Sequence, residues 1–443
     1  MRILALQSGT SADGIDAALV TATPGDDALD LVIERWATEP WLPDERALVM
    51  RAVAGAPLHP SEWCRLETVV GQAFARAAVS FLAETPRPDL VCAHGQTVFH
   101  GVDDGRVWGT LQVGEPAWIA RATGCPVLFN LRVADVAAGG QGAPLISAFD
   151  GRWLRSAADE AAAPIASLNL GGIANLQVVR PGGAVAGFDT GPANALLDAY
   201  VARETEGAET FDRDGRHAAA GRVDAALLQR LLGHPYFALA APKSTGRETF
   251  TLATVDAALA ERTPTVGAGV SSAGARAPFA QRPGGEAAAV ERPERDETPR
   301  AHAQPVPPAS LTLDDVCATL VELTAASVAD ALHRAAPDAA RLIVSGGGAR
   351  NPVLMARLAA LTGMPVESSD AWGIPADARE AVMFAAIAYL SVLRVPLVLP
   401  GTPEGRAAVA GQWDLSVAPL PIPPAVTGGA SQRLRVRTRE ERP

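Results

Sequence analysis

Asp189 stands between Phe188 and Thr190-Gly191-Pro192. A carboxylate at the end of an apolar strand is costly to bury unless it is paired or used. That position suits a general base; the alternative is a cap on the helix expected to follow. His94-Gly95-Gln96-Thr97 ends a second apolar run, over residues 89–93. Its hydrogen-bonding side chains suit sugar hydroxyls, although His94 alone would serve equally well as a core histidine. Gln112-Val113-Gly114-Glu115-Pro116 repeats that polar chemistry nearby. In Pro242-Lys243-Ser244-Thr245-Gly246-Arg247-Glu248, two cations and two hydroxyls fall within seven residues, and Lys243 is the sole lysine among 38 basic residues. Such a segment fits an anionic ligand, or a solvated surface loop. Glu380 opens an apolar helix, where it either serves a site or stabilises the helix N-terminus.

Three glycine-bearing turns follow apolar strands, at residues 8–14, 187–191 and 345–348. Exposed backbone N–H groups and hydroxyls in such turns bind phosphate oxygens. Three of them point to loops converging on one nucleotide. No GxxxxGK[ST] loop and no protein-kinase signature set is present, so the chain is neither of those types. In the first turn Gly9-Thr10-Ser11 offers donors. Asp13 and Asp16 add carboxylates able to hold Mg²⁺ through water, or to cap the turn on its own backbone.

These residues must be positioned by strands and helices, and the pattern predicts an α/β fold. Residues 1–8 and 16–20 read as a hairpin. A strand over 89–95 runs into a loop, and another short strand covers 127–130. Helical periodicity covers 61–84, 314–335 and about 376–394, with a strand at 342–344. A glycine-rich loop near residue 135 marks a first domain over 1–135 and a second over 136–412. Residues 263–309, rich in Pro, Ala, Gly, Glu and Arg, read as a disordered insertion in the second domain. The tail over 424–443 reads the same way.

Length and composition agree with an enzyme of two domains. The chain has 443 residues, 48% of them hydrophobic, which is ample for large cores. A net charge of −11 without a dense Lys/Arg run argues against nucleic-acid binding. The four cysteines, Cys64, Cys92, Cys125 and Cys317, form no CxxC pair. No metal-ligating cluster is expected, and a reducing compartment fits. The N-terminus lacks signal-peptide features, and no apolar run reaches membrane-spanning length. A cytoplasmic location is expected.

Taken together, the segments resemble one family, anhydro-N-acetylmuramic acid kinase, of the actin–hexokinase–Hsp70 superfamily. They are SGTSADGID at 8–16, HGQTVFH at 94–100, DVAAGGQGAP at 135–144 and LNLGGIAN at 168–175. GFDTGPAN at 187–194, PKSTGRE at 242–248 and VSGGGARNP at 344–352 complete the order, over most of residues 1–412. Two departures stand out: Leu6-Gln7-Ser8 where the family tends to have a methionine before the serine, and an insertion at 263–309 longer than the family's norm.

The resemblance implies a two-domain actin-like ATPase (ribonuclease H-like) fold with a cleft between the domains. It implies ATP-dependent phosphorylation of 1,6-anhydro-N-acetylmuramic acid, with hydrolysis of the 1,6 bridge, in cell-wall recycling. Asp189 would be the catalytic base. Gly9, Thr10, Ser11, Ala12, Asp13, Gly14, Ile15 and Asp16 would form the phosphate-binding segment. Gly171, Gly172, Gly346, Gly347, Gly348 and Asn351 would complete the ATP side, and His94, Gln96, Thr97 and Glu380 the sugar side. ATP and Mg²⁺ are the implied cofactors, and a homodimer the implied assembly. Two other readings compete: a kinase for a different sugar without ring opening, and a nucleotide-dependent sensor or assembly protein that binds ATP without turning over sugar.

Overall fold

In the computed structural model, residues 1–9, 11–246, 249–261, 311–422 and 429–439 are described. They build two β-sheets that share a strand order. The first sheet begins with the antiparallel meander β1 (Arg2–Ser8), β2 (Ile15–Pro24) and β3 (Leu29–Glu39). On the other side of β1 lie β4 (Leu90–Asp103) and β6 (Val127–Phe129), both parallel to it, while β5 (Arg106–Val113) folds back on β4. The second sheet repeats the plan. β7 (Ile165–Leu170), β8 (Ile173–Val179) and β9 (Val185–Pro192) form an antiparallel meander. Beyond β7, β10 (Arg341–Ser345) and β11 (Val366–Ser368) run parallel to it. Counted in chain order without β5, the five core strands of each sheet thus have a 3-2-1-4-5 order with the second strand antiparallel. This duplication is the architecture of the actin-like ATPase fold.

The central strands are apolar over most of their length because both faces are covered, and turn polar only towards one end. On the outer face of the first sheet lie α1 (Pro43–Val53), α2 (Pro60–Leu82) and α3 (Pro116–Thr123). Leu66, Val70, Phe74 and Phe81 of α2 supply the largest part of that core. The short α4 (Val133–Ala137) follows β6. Between the two sheets lie α5 (Ile146–Trp153), α6 (Arg155–Ala161) and, from far along the chain, α14 (Arg379–Val392).

The outer face of the second sheet carries α7 (Asn194–Glu204), α8 (Arg216–Ala220), α9 (Ala225–Leu232), α10 (Pro235–Ala238) and α11 (Leu252–Ala260). It also carries α12 (Leu313–Ala335) and α13 (Pro352–Thr362). By length and composition α12 could cross a membrane, but most of it is buried against this sheet.

Three sequence expectations change. The strand holding His94 does not stop at Gly95: β4 continues to Asp103 and pairs with β5. Thr97-Val98-Phe99-His100 favours strand, and Gly95, at φ +74°, takes up the register shift between Leu6 and Ser8. The segment 187–191 is likewise strand rather than turn.

The tail expected to be unstructured over 424–443 supplies β13 (Leu434–Thr438), parallel to β3, and β12 (Gln412–Asp414) lies at the opposite edge. In β13 Leu434 and Val436 face the core while Arg435 pairs with Asp27 at the surface. That alternation is a half-buried edge strand, which charge-rich composition disguised. The expected insertion, 263–309, lies outside the described residues.

Candidate active site

The inner face of the second sheet presents a polar row at one end. Register places Ser345 beside Asn169, Asn169 beside Asn175, and Asn175 beside Asp189. In-register neighbours share a face, so four strands deliver four polar side chains to one line. Two residues further from the cleft the row is Ile343, Ser167, Gln177 and Gly187, and beyond it the strands turn apolar.

Asp189 is held on both oxygens. Asn175 Nδ2 donates to Oδ1 at 2.7 Å, and Ser244 Oγ and the Thr245 amide donate to Oδ2 at 2.9 and 3.0 Å. Behind Asn175, its Oδ1 accepts from Gln177 Nε2 at 2.7 Å, and Gln177 is bonded in turn to Ser147 of α5. This chain fixes the orientation of Asn175 and through it the carboxylate. Gly187 has no alternative here, since a Cβ would lie 2.1 Å from Gln177 Oε1.

The helix-cap alternative for Asp189 falls away, because α7 starts at Asn194 without a side-chain cap. The backbone also braces the site. The Asp189 amide donates to Lys243 O, and its carbonyl accepts from Tyr236 Oη at 2.8 Å. Burial and the Asp189 charge push the Tyr236 hydroxyl pKa up, so it stays a donor. Lys243 does not reach for an anion. Its Nζ donates to Tyr236 O at 3.1 Å and lies over the Tyr236 ring, anchoring the loop that carries Ser244 and Thr245. Arg247 and Glu248 of that motif lie outside the described residues.

On the first sheet, Gln7, Asp16 and Thr38 are register neighbours. Gln7 Nε2 and Thr38 Oγ1 donate to the two Asp16 oxygens at 2.5 and 2.7 Å. A cavity of about 170 Å³ opens beside them, between β2, β3 and the start of α14. The turn before β2 is clamped by α1: Arg46 donates to the carbonyls of Ala12 and Ser11 and lies 3.6 Å from Asp13. Gly9 closes the turn by accepting from the Ala12 amide and from Gln96 Nε2. Thr10 lies outside the described residues. Ala12 and Ile15 are packed in the core, so their side chains serve the fold. Gly14 is required by the approach of Thr38, 2.3 Å from where its Cβ would be.

Glu380 joins the two sheets. It accepts from Asn169 Nδ2 at 3.0 Å, and burial together with the Asp16 charge raises its pKa. Asp16 shifts in the same direction, mainly by burial. Among the described residues neither carboxylate is in an ion pair.

Beside them, His94 stacks on Phe384 of α14 at 4.5 Å and meets Thr97 Oγ1 at 3.4 Å. Burial and the charge of Arg132 hold His94 well below its ordinary pKa, hence neutral. His94 Nδ1, Gln96 Oε1, Gln112 Oε1 and Arg132 Nε are all buried without a hydrogen-bond partner. Buried polar groups are ordinarily paired, so this cluster is shaped for a polar ligand.

The remaining glycines divide into two kinds. A Cβ on Gly171 or Gly347 would meet nothing closer than 3.7 Å, whereas Gly346 and Gly348 are tight against Leu170. Asn194 ties these loops, its amide donating to Gly171 O and its Nδ2 to Leu170 O, while the Ala193 amide donates to Gly172 O. Asn351 Oδ1 caps α13 by accepting from the amides of Val353 and Leu354. Asn169, Asn175 and Arg132 were given no role from the sequence, while Gln112, Ser244 and Thr245 lie in segments it singled out without placing them at Asp189 or His94. For the first two the signal was present, since polar residues recur at even spacing in Ser167, Asn169, Asn175 and Gln177.

A duplicated α/β fold with glycine loops and opposed carboxylates at its cleft defines a two-lobed ATPase of the sugar-kinase type. The comparisons narrow this. The profile of the Anhydro-N-acetylmuramic acid kinase family matches residues 1–272 and 300–411. The chain belongs to the anhydro-N-acetylmuramic acid kinase family. It is 44% identical to the anhydro-N-acetylmuramic acid kinase of Streptomyces coelicolor, with 96% of each chain covered. It is 40% identical to that of Rhodococcus erythropolis, with 89% of each covered. With that of Xanthomonas oryzae pv. oryzae it shares 42% identity, over 87% of this chain and 89% of the relative.

Proposed function

We propose that the protein uses ATP to phosphorylate 1,6-anhydro-N-acetylmuramic acid while hydrolysing its 1,6 bridge, giving N-acetylmuramic acid 6-phosphate and ADP in peptidoglycan recycling. The carrying observation is the Asp189 carboxylate, held by three donors on the polar row of the second sheet. An oriented carboxylate with free lone pairs accepts a proton from water as that water attacks C1. The C1–O(water) bond forms and the C1–O6 bond breaks. O6 takes the γ-phosphoryl group, and the bond to the β-phosphate oxygen breaks. A carboxylate activating water on the far side of the sugar from the leaving oxygen is the arrangement of an inverting glycosidase.

The phosphate side rests on the turn of residues 9–16, with Gly171, Gly172, Gly346, Gly347 and Gly348 towards the nucleoside. At Gly171 and Gly347 a Cβ would meet no protein atom closer than 3.7 Å, so the backbone there is open to a ligand. His94, Gln96, Thr97 and Glu380 take the sugar. Asp16 would hold a Mg²⁺ ion, with Asp13 reaching it through water, and the ion would offset the charge that Asp16 and Glu380 impose on each other. Such an ion neutralises charge on the transferring phosphates. The lobes divide near residue 135, with α14 and the last strands returning to the first, and closure between them excludes bulk water. A cytoplasmic location and a homodimer belong to the same reading.

The test is turnover of the anhydro sugar with Mg-ATP in ¹⁸O-water, followed by mass spectrometry. A 6-phosphorylated product with ¹⁸O at C1, lost in Asp189→Asn, is expected. ATP binding without any modified sugar would move the assignment to a sensor, and an unlabelled phosphorylated sugar to a kinase without ring opening.

A further inference from the structure

Arg132 is the N-cap residue of α4, at the end of β6, and its guanidinium is buried. Nη1 donates to Gly142 O at 2.9 Å, and Nε makes no hydrogen bond. Among the described residues no carboxylate lies within ion-pair distance of it. Its charge nevertheless reaches the cleft. It favours the ionised form of Glu380 and disfavours protonation of His94 and His100. Burial pushes Arg132 itself down to about 10, so it remains a cation at neutral pH.

A buried guanidinium whose nearest acid, Glu380, acts on it through charge without a hydrogen bond is held at a cost that a ligand anion reduces. The other unpartnered atoms at this place, His94 Nδ1, Gln96 Oε1 and Gln112 Oε1, are neutral and match hydroxyl and amide groups. One cation among neutral partners fits a sugar carrying one carboxylate. The loop of residues 139–142 is held around it. Gly142 N donates to Asp135 Oδ2 at 2.7 Å, and Thr402 Oγ1 donates to Asp135 Oδ1 at 2.7 Å. The Arg132 carbonyl partner is therefore fixed, and Nε is left for the ligand.

We propose that Arg132 binds the carboxylate of the acidic amino sugar and selects it over the neutral anhydro sugar with the same ring. This rests on the reading of the site as a sugar kinase. A planar fork with a free Nε–H meets a carboxylate in a geometry that an ammonium does not reproduce.

The experiment compares 1,6-anhydro-N-acetylmuramic acid with 1,6-anhydro-N-acetylglucosamine, which lacks the lactyl carboxylate, in the wild type, Arg132→Gln and Arg132→Lys. In Arg132→Gln the ratio of kcat/KM between acid and neutral sugar is expected to fall by about 10²-fold, through KM for the acid. Arg132→Lys should restore part of that ratio. KM for ATP should move far less than KM for the acid. An equal loss on both sugars, or a rise confined to KM for ATP, overturns the proposal and assigns Arg132 to the fold or to phosphate. If Arg132→Gln does not fold, Arg132→Lys decides, and a wild-type ratio in it overturns the proposal. Wild-type inactivity on both sugars is the failure of the kinase reading instead. Calorimetric titration of the acid sugar into wild type and Arg132→Lys then still tests the carboxylate contact: weaker binding to the variant supports it, and equal binding overturns it.

Discussion

Replacing Asp150 with Ala should destabilise the protein more than any single change at the cleft. Asp150 in α5 is fully buried and Arg379 at the start of α14 is 3% exposed. The two are ion-paired between the sheets. Ser167 Oγ donates to Asp150 Oδ2 at 2.8 Å, and Arg379 Nη1 donates to Ser345 Oγ at 2.6 Å. Removing Asp150 leaves a guanidinium in the interior bonded to two hydroxyls and set against the Trp153 ring, with no carboxylate but the neighbouring Glu380 acting on it through charge. Breaking one partner of a buried pair costs about 3–5 kcal/mol. At about 2–4 °C per kcal/mol for a lobe of this size, Tm should fall by about 6–20 °C. Exchanging both partners for apolar residues of similar volume, Asp150→Leu with Arg379→Met, should recover most of the loss. The measurement is thermal unfolding followed by circular dichroism. If Asp150→Ala melts within about 2 °C of the wild type, or the double variant melts as low as the single one, the account of this pair is wrong.

Two further outcomes concern pH. Glu380 has a raised pKa from burial and the Asp16 charge, so the folded state binds its proton more tightly than the unfolded chain does. Its contribution is favourable below the unfolded value of 4.5 and lost as pH rises through the raised one. Glu380→Gln should therefore melt higher than the wild type at pH 7, the gap closing below about pH 4.5, while its sugar-kinase activity drops. A lower melting temperature at pH 7 would refute the reasoning. His217 shifts upward despite burial, through Asp314 and Glu209 on its two nitrogens and the Asp212 charge. Its stabilisation is complete below 6.5 and fades above the raised value. Arg216 also pairs with Glu209. In urea titrations His217→Gln should lose most stability between about pH 5 and 6.5 and approach the wild type at alkaline pH; a loss independent of pH would show a packing role alone.

Much of this site is visible in the sequence because backbone-dictated positions leave strong marks. Gly14 and Gly348 are glycine since a neighbouring side chain occupies the place of a Cβ. Asp189 and Glu380 attract notice because carboxylates beside apolar runs need a reason. What escaped depends on register. Asn175 reads as one polar residue in a glycine-rich stretch, and only pairing of β8 with β9 sets it against Asp189. Arg132 looks like any surface arginine until β6 is buried beside β4 and the 139–142 loop closes over it. β13 failed for a related reason: its two apolar residues are too few to announce a strand, and they acquire meaning only where β3 offers an unpaired edge. Lys243 shows the opposite error, since its uniqueness drew attention to an ammonium that spends its bonds on carbonyls.

The two copies of the 3-2-1-4-5 sheet end in different chemistry, and α14 explains how they act together. Its second residue, Glu380, takes Asn169 from the second sheet and senses Asp16 of the first. Its first residue, Arg379, is locked to α5 and to the tips of β7 and β10. Further along, Phe384 backs His94. One helix therefore carries the acid between the two rows, the anchor that sets its axial position, and the ring on which the His94 imidazole stacks. A small displacement of this helix would move all three together relative to Asp189, whose own supports, Asn175, Ser244 and Thr245, lie wholly on the second lobe. Asp189 thus has a fixed position on the second sheet, while Glu380 and the ring stacked on His94 are set by the helix packed between both sheets. On the function proposed above, closure of the lobes brings these two sets of groups into register.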